Sequence, residues 1–455
     1  MKQILKKLIP TTFLKSIRPM FHGLKGFMYA AINFFPATKL KVIGITGTKG
    51  KTSTTVMTGR LMNSLGYKTG FVSTALFYDG QDEVLNYTKM TSIDAKILQS
   101  MLRKMVNNGC KYVVVEMSSQ GLEQNRHKGL FGFDTTVFLN IYPEHIEAHG
   151  SFEIYRDAKG VLFKNLRKGG QAIFNCLPEF KEHSDYYINK YTKLFSNKKI
   201  NVTRLDNTFF KLKSNNNSQF NDIEIFNSIF KTNLTTDFEI DNLAFGIKAM
   251  ESTVNDNSFI ERLPKPLLNI KTIPGRLEYV VKNNENLANG NFRKNYNNTN
   301  IDIMVDYAHE TGSMERLLSN LASWREKGYY DSIIHVLSCD GVGRDDWKKP
   351  ILGEISNKYA NFMVVTTDNY EAGDNPQTIL DMLTEKLTNN IDKFVKIVDR
   401  KTAMIHAIRK AQEIKGGKVL IVSTGVGAEQ QLTQPSGLMT WDERKIWSML
   451  FDEYC

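Results

Sequence analysis

The sequence has few cysteines, and their spacing suits neither cross-linking nor metal binding. Only four occur in 455 residues and none forms a CxxC pair; they are Cys110, Cys176, Cys339 and Cys455. This distribution argues against a disulfide framework and against a cysteine-based structural zinc site. It suits a reducing compartment such as the cytoplasm.

Long hydrophobic runs are also missing. No uninterrupted apolar stretch reaches the roughly 18 residues that a membrane-spanning helix needs. A secretory signal peptide is not expected, because basic residues break the apolar stretch near the N-terminus. Apolar residues make up 41% of the chain and charged residues 24%. These values are ordinary for a soluble globular protein, and the length allows two or three domains.

Acidic residues are absent from the first 40 positions, which carry seven Lys or Arg. The net charge of +11 therefore describes this segment more than the whole surface, and nucleic-acid binding is not expected. Phe21, Leu24, Met28 and Ala31 recur there at helical spacing. Three interpretations remain open: a helix packed on the next domain with a solvated basic face, a peripheral membrane contact through residues 1–35, and a transit peptide.

Strand and helix patterns alternate along the rest of the chain, which predicts an α/β fold with mostly parallel sheets. Residues 180–235 are expected to be strands and loops. The asparagine-rich stretch 283–300 is expected to be a polar loop. The pattern predicts a basic N-terminal segment (1–38), a central sheet domain (39–273) and a C-terminal Rossmann-like α/β domain (274–455).

The strict spacing of a phosphate-binding loop is missing from GITGTKGKTS, residues 44–53, although its chemistry is present. Gly50, Lys51 and Thr52 supply the G-K-T end, but Ile45 stands where the first glycine of G-x-x-x-x-G-K-[ST] belongs. A strand that ends in glycines, before a helix that opens with Lys-Thr, favours nucleotide binding by a P-loop-type sheet. Lys51 would offset phosphate charge and Thr52 would ligate Mg²⁺.

Three more polar positions stand out. Glu116 follows a buried strand at its carboxyl end, where open α/β sheets bind ligands. His145 and His149 are four residues apart, but no third ligand is near in sequence, so zinc is not expected. A histidine beside nucleotide-bound magnesium is unusual because magnesium prefers oxygen. Lys159 lies among apolar positions of a helix that Ser151 would cap, where a lysine ordinarily extends to solvent.

Nine ordered motifs together resemble the Mur ligases, ATP-dependent amide-forming enzymes of peptidoglycan synthesis. The resemblance is strongest to the branch that adds the third peptide residue, the tripeptide synthetases. It runs from about residue 39 to residue 455 and is weak over 180–270. The motifs are GTKGKTS, EMSSQGLEQNR, NIYPEHIEAHG, YRDAK, PGRLE, DYAH, GVGRDDWKKP, TDN and GVGAE. The family typically carries G-T-[NK]-G-K-[TS], which accounts for the irregular glycine spacing.

The resemblance implies a central ATP-binding domain and a C-terminal domain that binds an incoming amino acid. The implied reaction joins that amino acid to a UDP-linked or lipid-linked muropeptide through an acyl phosphate, with ATP and Mg²⁺ as cofactors. The enzyme is expected to be a monomer in the cytoplasm, and the basic leader leaves open a position at the inner face of the membrane.

The same resemblance assigns roles to individual residues. Catalytic roles fall to Lys51, Glu116, His145 and Lys159, the last carbamylated by CO₂. The magnesium ligands would be Thr52, Glu116, His145 and the Lys159 carbamate. ATP would be bound by Gly47, Thr48, Lys49, Gly50, Lys51, Thr52, Ser53, Arg276 and Asp306. The growing peptide would contact Thr91, Ser92, Ser118, Gln124 and Arg126. The amino acid would contact Arg344, Asp368, Asn369, Tyr370, Glu371, Gly425 and Glu429.

Two departures from the family pattern concern the substrates. Diaminopimelate-adding members carry D-N-P-R where this chain has DNYE, residues 368–371. Glu371 would suit an amino acid with a cationic side chain, such as lysine. Typical members also have a whole UDP-holding domain before the phosphate loop. Only about 40 residues precede it here, too few to bury a comparable core. A lipid-linked acceptor is therefore an alternative to a UDP-linked one.

Two other functions remain as alternatives. One is another ligase of the superfamily, similar to folylpolyglutamate or cyanophycin synthetase. The other is a nucleotide-binding scaffold without ligase activity. EMSSQGLEQNR and DYAH favour the tripeptide-synthetase branch over the first. The set of Lys51, Glu116, His145 and Lys159 argues against the second.

Overall fold

The computed structural model describes residues 11–88, 90–144, 146–206, 209–213, 221–226, 228–256, 258–282, 300–387 and 391–455. His145 and the asparagine-rich residues 283–299 lie outside this set, so the predictions made for them stay predictions. The chain divides into two compact units, Met1–Lys271 and Thr272–Cys455. Within the described residues, no helix is long and apolar enough to cross a bilayer.

The first unit is built on an eight-stranded sheet in the order β4-β3-β2-β5-β1-β6-β7-β8. All its pairs from β2 to β8 are parallel, whereas β3 and β4 run antiparallel at one edge. Its strands are β1 (Lys41–Thr46), β2 (Thr69–Val72), β3 (Leu76–Tyr78), β4 (Glu83–Leu85), β5 (Tyr112–Glu116), β6 (Phe133–Phe138), β7 (Leu166–Asn175) and β8 (Asn201–Leu205). A separate antiparallel sheet, ordered β11-β10-β9, contains β9 (Phe210–Lys213), β10 (Asn221–Ile225) and β11 (Ser228–Thr232).

Helices cover both faces of the large sheet. They are α1 (Thr11–Ile32), α2 (Lys51–Ser64), α3 (Ala95–Asn107), α4 (Ser119–Glu123), α5 (Ile146–His149), α6 (Phe152–Lys164), α7 (Lys181–Lys198), α8 (Asp237–Val254), α9 (Phe259–Arg262) and α10 (Pro264–Leu268). Polar caps fix where several begin. Ser151 accepts a hydrogen bond from the backbone N–H of Ile154, as the sequence predicts, and Thr236 with Glu239 forms a capping box on α8.

The second unit is a six-stranded sheet in the order β12-β13-β17-β14-β15-β16, parallel except for β12 at its edge. Its elements are β12 (Glu278–Val281), β13 (Asn300–Val305), α11 (Thr311–Glu326), β14 (Ser332–Cys339), α12 (Lys349–Tyr359), β15 (Phe362–Thr367), α13 (Pro376–Thr384), β16 (Phe394–Lys396), α14 (Arg400–Gln412), β17 (Lys418–Ser423), a hairpin of β18 (Gln431–Gln434) and β19 (Gly437–Thr440), and α15 (Glu443–Tyr454). Every residue of β14 is buried, as expected for a parallel strand with helices on both faces. The predicted α/β fold with mostly parallel sheets is confirmed.

The prediction of strands and loops for 180–235 is wrong over its first part. Residues Lys181–Lys198 form the 18-residue helix α7. Tyr187, Tyr191 and Phe195 recur every four residues and are all buried, which is the helical period that the abundance of Asn and Lys obscured.

The N-terminal helix α1 also differs from a simple amphipathic helix, whose large apolar side chains would be buried. It packs on the first unit, but Phe21, Leu24 and Met28 remain exposed. Its buried side is instead formed by small residues such as Gly26 and Ala30.

Candidate active site

The loop between β1 and α2 has the geometry of a phosphate-binding turn. Gly50 adopts φ 77°, a left-handed conformation that favours glycine, and caps the first turn of α2. A Cβ at Gly50 would lie 2.2 Å from the side-chain oxygen of Asn242, so no larger residue fits. The N-terminus of α2 therefore begins directly at this glycine turn, the arrangement in which helix N-termini bind anions.

Asn140, two residues after β6, is hydrogen-bonded to this loop. Its side-chain oxygen accepts hydrogen bonds from the backbone N–H groups of Thr48 (3.0 Å) and Lys49 (2.8 Å). Its amide nitrogen donates to the Lys49 carbonyl at 3.2 Å. The Thr48 hydroxyl in turn lies 2.8 Å from the hydroxyl of Tyr155. Neither Asn140 nor Tyr155 was assigned a role from the sequence.

Four predicted catalytic and ATP-binding residues meet at this loop. The hydroxyl of Thr52 donates to the Glu116 carboxylate at 3.0 Å. Lys51 Nζ donates to the Thr48 carbonyl at 2.8 Å, and Lys159 Nζ donates to the Gly47 carbonyl at 2.7 Å. The sheet brings them together because β1 and β5 are parallel neighbours, so that their carboxyl ends lie at one edge.

Lys159 does not extend to solvent. Its side chain is among the largest fully buried ones, with 2% of its surface exposed. Burial, and next the positive charge of Lys51, hold the pKa of Lys159 well below its usual value. This environment disfavours the ammonium form of Lys159 relative to that of an exposed lysine.

The oxygen donors present suit magnesium. The Glu116 carboxylate is 1% exposed and accepts from the backbone N–H of Thr74 (2.7 Å) besides the Thr52 hydroxyl. A carboxylate and a hydroxyl beside a phosphate loop are the hard ligands that Mg²⁺ prefers. The residues that the structure describes contain no cluster of three or more His, Cys, Asp or Glu able to hold a metal. His145 lies outside them.

A pocket beside Glu116 is lined by three of the five residues predicted to contact the growing peptide, Thr91, Ser92 and Arg126. It is lined by Val72, Thr91, Ser92, Ile93, Leu98, Val115, Glu116, Met117, Arg126 and His127. Ser92 Oγ and Ser118 Oγ are 3.0 Å apart, and Arg126 donates to the Ser92 carbonyl at 3.1 Å and to the Gln124 side chain at 2.9 Å. Thr74, which the sequence did not indicate, donates its hydroxyl to Thr91 at 2.9 Å and so links this pocket to Glu116.

In the second unit, the residues predicted to contact the amino acid lie at the carboxyl ends of β14, β15 and β17. Asp368 is buried and accepts from Ser338 Oγ at 2.9 Å. Gly425 has φ 99°, and a Cβ there would lie 2.4 Å from that same hydroxyl. Asn369 donates to Glu429 at 3.2 Å. Glu371, however, already pairs with Arg344 at 2.5 Å, with both side chains largely exposed.

The same end of the sheet carries a further carboxylate that the sequence did not indicate. Asp340 follows β14 directly, and burial, then the charge of Asp368, raises its pKa to about 6. Burial also raises the pKa of Asp368, against the pull of Arg400. Lys348 nearby is neutralised by Glu310 at 2.8 Å. Two neighbouring carboxyl groups with raised pKa values, Asp340 and Asp368, therefore lie at this end of the second unit.

The two residues predicted to reach ATP from the C-terminal unit lie beside each other. The guanidinium of Arg276 stacks 4.5 Å from the ring centre of Tyr307. Asp306 accepts from the backbone N–H groups of Leu277 and Ala308, both at 2.8 Å. Burial raises the pKa of Asp306, while the charge of Arg276 opposes the shift.

Two models of known families match this chain. The family described as "Mur ligase middle domain" matches residues 45–250, and the one described as "Mur ligase, glutamate ligase domain" matches residues 292–425. The chain belongs to the Mur ligase family. It is thus an ATP-dependent ligase, as the motifs predicted, and this family uses ATP with Mg²⁺.

Curated relatives of this Mur ligase include two diaminopimelate ligases. The UDP-N-acetylmuramoyl-L-alanyl-D-glutamate–2,6-diaminopimelate ligase 1 of Clostridium acetobutylicum is 28% identical over 438 residues, covering 95% of this chain and 82% of the relative. The corresponding ligase of Cytophaga hutchinsonii is 29% identical over 430 residues, covering 93% and 80%.

Solved structures show the same fold for this Mur ligase. A UDP-N-acetylmuramoyl-L-alanyl-D-glutamate–2,6-diaminopimelate ligase matches with a TM-score of 0.54 and 22% identity, covering 91% of this chain and 78% of that one. A folylpolyglutamate synthase of Mycobacterium tuberculosis matches with a TM-score of 0.67 and 14% identity, covering 89% and 92%.

Proposed function

We propose that this Mur ligase joins a free amino acid with a cationic side chain to a muropeptide, which is carried on UDP or on a lipid. The observation that carries the proposal is the position of Glu116. It contacts Thr52 of the phosphate loop and also lines the pocket that holds Thr91, Ser92 and Arg126. An acceptor carboxylate in this pocket would therefore lie next to the nucleotide's phosphates.

Residues of the first unit would promote the first step, in which the acceptor carboxylate attacks the γ-phosphorus of ATP and ADP leaves. Arg126 would hold a carboxylate of the acceptor through its planar fork. Lys51 and the N–H groups of the loop would offset the charge of the transferring phosphoryl group. Thr52 and Glu116 would hold Mg²⁺, with His145 as a third ligand, and the bound ion would neutralise phosphate charge.

Lys159 would act in this step as a carbamate. The low pKa of the buried amine supports this assignment, because only the neutral amine reacts with CO₂. The product would carry a negative charge beside Lys51, whose positive charge disfavours the ammonium form of Lys159.

The second unit would bind the amino acid whose amine attacks the acyl phosphate and releases phosphate. Asp340, Asp368 and Glu429 supply negative charge for a cationic side chain. Asn369 and Gly425 would contact the amino acid's polar backbone groups, with Arg344 and Tyr370 at the margin. Arg276 and Asp306 would contact ATP. This preference would distinguish the chain from the diaminopimelate ligases that it resembles.

The remaining proposals concern the surroundings of the enzyme. We assign ATP binding to the domain spanning 39–273 and amino-acid binding to 274–455. The enzyme would work as a monomer in the cytoplasm, with a peripheral membrane contact through residues 1–35 at the inner face.

Assays of every combination of acceptor and amino acid test the proposal. Amino-acid-dependent ADP release would be measured with a UDP-linked and a lipid-linked muropeptide against lysine, ornithine, diaminopimelate and glutamate. We expect lysine or ornithine to give the largest kcat/KM. A preference for diaminopimelate would contradict the cationic assignment. No release with any pair would instead support the scaffold alternative.

A further inference from the structure

One face of α1 is apolar, continuous and exposed. It consists of seven large side chains that are 36% to 71% exposed: Ile17, Met20, Phe21, Leu24, Phe27, Met28 and Ile32. At about 100° per residue these positions fall within an arc of roughly 140°. With Phe34, which is 69% exposed, they make up eight of the nineteen exposed large apolar side chains in the described part of the chain. We call this set the outer face of α1.

The outer face is not a frayed tail, because the opposite side of α1 is packed closely on the first unit. A Cβ at Gly26 would lie only 3.0 Å from the backbone nitrogen of Gly129, and Ala30 is fully buried. Lys25 pairs with Asp94 at 2.6 Å. Small residues face the protein and large apolar ones face away from it. This is the reverse of the arrangement in a helix whose large apolar side chains pack in the protein core.

Charge decides which partner suits this surface. The first 40 residues carry seven Lys or Arg and no Asp or Glu. Arg18 is exposed at the edge of the outer face, and Arg103 stacks 5.2 Å from the ring centre of Phe34. A second copy of the chain would bring the same positive charges and repel. Anionic lipid headgroups would attract them, while the apolar side chains enter the acyl boundary.

We propose that the outer face of α1 docks on a lipid surface that bears anionic headgroups, and that it holds the acceptor pocket at that surface. The inner side of α1 contacts the two segments that line this pocket. Lys25 binds Asp94, two residues after Ser92, and Gly23 faces Asn125, next to Arg126. Burial and then the charge of Arg126 lower the pKa of His22, which shows the same proximity.

An α-helix is about 10 Å across, so docking keeps the pocket roughly one helix diameter from the headgroups. This geometry favours an acceptor anchored in the same membrane by a lipid. That consequence rests on the proposed ligase function, whereas the docking itself does not.

Vesicle flotation of the full chain, without substrates, tests the docking. Vesicles of phosphatidylcholine with about 30% phosphatidylglycerol would be compared with phosphatidylcholine alone at about 0.1 M NaCl. We expect the anionic vesicles to bind at least tenfold more protein. The triple variant Phe21→Gln/Leu24→Gln/Met28→Gln should lower that partition about tenfold or more, since glutamine keeps the helix but not the apolar face.

A matched control carries the same type of change on exposed apolar residues of the second unit: Leu438→Gln/Met439→Gln/Met449→Gln. It should bind vesicles like the unchanged protein. Both triple variants should release ADP at the normal rate with a soluble UDP-linked acceptor if that acceptor is used. The outer-face variant alone should lose activity on an acceptor embedded in anionic vesicles.

Three outcomes would overturn the docking proposal. They are no binding to anionic vesicles, equal binding by both triple variants, and a dimer in light scattering that the outer-face variant abolishes, which would make a second copy the occupant. Equal activity of both variants on the embedded acceptor would overturn the inference that the acceptor is anchored in the same membrane by a lipid. Vesicle binding without ADP release on any acceptor would overturn the proposed function and leave the docking standing.

Discussion

The two units use the same architecture at their ligand ends but place different charged side chains there. In the first, Lys51 and Lys159 donate to carbonyls of the loop after β1, while Lys49 pairs with Glu144 at 2.5 Å. In the second, carboxylates such as Asp340 and Asp368 follow β14 and β15. Parallel strands direct ligands to their carboxyl ends in both sheets. The side chains placed there then decide whether the end suits a phosphate or an ammonium.

Burial pushes both regions toward neutrality. It lowers the pKa of Lys159 and raises the pKa of Asp340. In each region the charged form of the group is therefore destabilised by burial. An oppositely charged ligand would offset this destabilisation, and carbamylation of the lysine would remove the ammonium. The comparison predicts that removing a charge from one end affects only the ligand of that end.

The largest effect is expected at Lys159. Lys159→Ala should lower kcat on the order of 10³-fold, because the group that orders the phosphate loop is lost. Lys159→Arg should be equally inactive, since a guanidinium cannot form the carbamate. Depleting CO₂ should slow the unchanged enzyme, and bicarbonate should restore it. All three are followed as amino-acid-dependent ADP release.

Lys164→Ala, on the exposed side of the same helix, is the matched control and should retain full activity. An active Lys159→Arg variant, or a rate that does not depend on CO₂, would show that the lysine acts as a cation instead.

Asn140 should have the next largest effect. Asn140→Ala leaves the N–H group of Lys49 without its side-chain acceptor and Thr48 with only its bond to the Asn140 backbone carbonyl, and an unpaired buried donor costs about 1–3 kcal/mol. We expect the KM for ATP to rise about 10- to 100-fold and the KM for the amino acid to stay unchanged. Steady-state kinetics with each substrate varied in turn would separate the two.

Asn63→Ala offers a fair comparison, because Asn63 likewise bonds backbone groups, at Thr69, but away from the loop. If it raised the KM for ATP as much as Asn140→Ala does, the effect would reflect general destabilisation.

The sequence predicted residues whose roles follow from motif order. Thr52, Glu116 and Lys159 were all expected at one end of the sheet, and they meet there. It could not predict Asn140 or Thr74, because these act through backbone partners that only the folded register brings within reach. It also could not predict that Lys159 is buried, since a lysine among apolar helix positions ordinarily reaches solvent.

The fold shows the same limit. The buried strand β5 was predicted, whereas α7 was missed because the abundance of Asn and Lys obscured the helical period of its buried residues. In α1 the periodicity was recognised, but periodicity alone does not tell which side faces the protein. The close approach of Gly26 to Gly129 settles that, and it is a tertiary contact.

At the acidic end, Asp340→Asn should raise the KM for a cationic amino acid about tenfold and leave the KM for ATP unchanged. Because the Asp340 pKa is raised to about 6, the unchanged enzyme should bind the amino acid more weakly as the pH falls through 6. The variant should lack that pH dependence. Asp381→Asn, an exposed carboxylate paired with Lys396, should change neither constant.

The same pKa shift has a consequence for stability with the opposite sign. A carboxyl whose folded pKa is raised from 3.8 to about 6 favours the folded state fully below pH 3.8, and this contribution is lost as the pH rises through 6. Asp340→Asn should therefore melt higher than the unchanged protein at pH 7.5, and the gain should vanish below pH 4. Thermal denaturation at several pH values checks this.

Glu371 should have the smallest effect, although the sequence indicated it as the group that selects a cationic amino acid. Its charge already pairs with Arg344, and the two side chains are 65% and 47% exposed. Exposed pairs of this kind contribute about 0–1 kcal/mol. We therefore expect Glu371→Gln to change the KM for the amino acid less than about threefold.

A double-mutant cycle of Glu371→Gln, Arg344→Gln and the double variant tests whether Glu371 selects the amino acid or only pairs with Arg344. Arg344→Gln alone should improve binding of a cationic amino acid, because it removes a like charge and frees Glu371, and the improvement should disappear in the double variant. A tenfold loss for Glu371→Gln alone would instead place the selecting charge on Glu371. Asp340 would then be a secondary contributor to the acidic end.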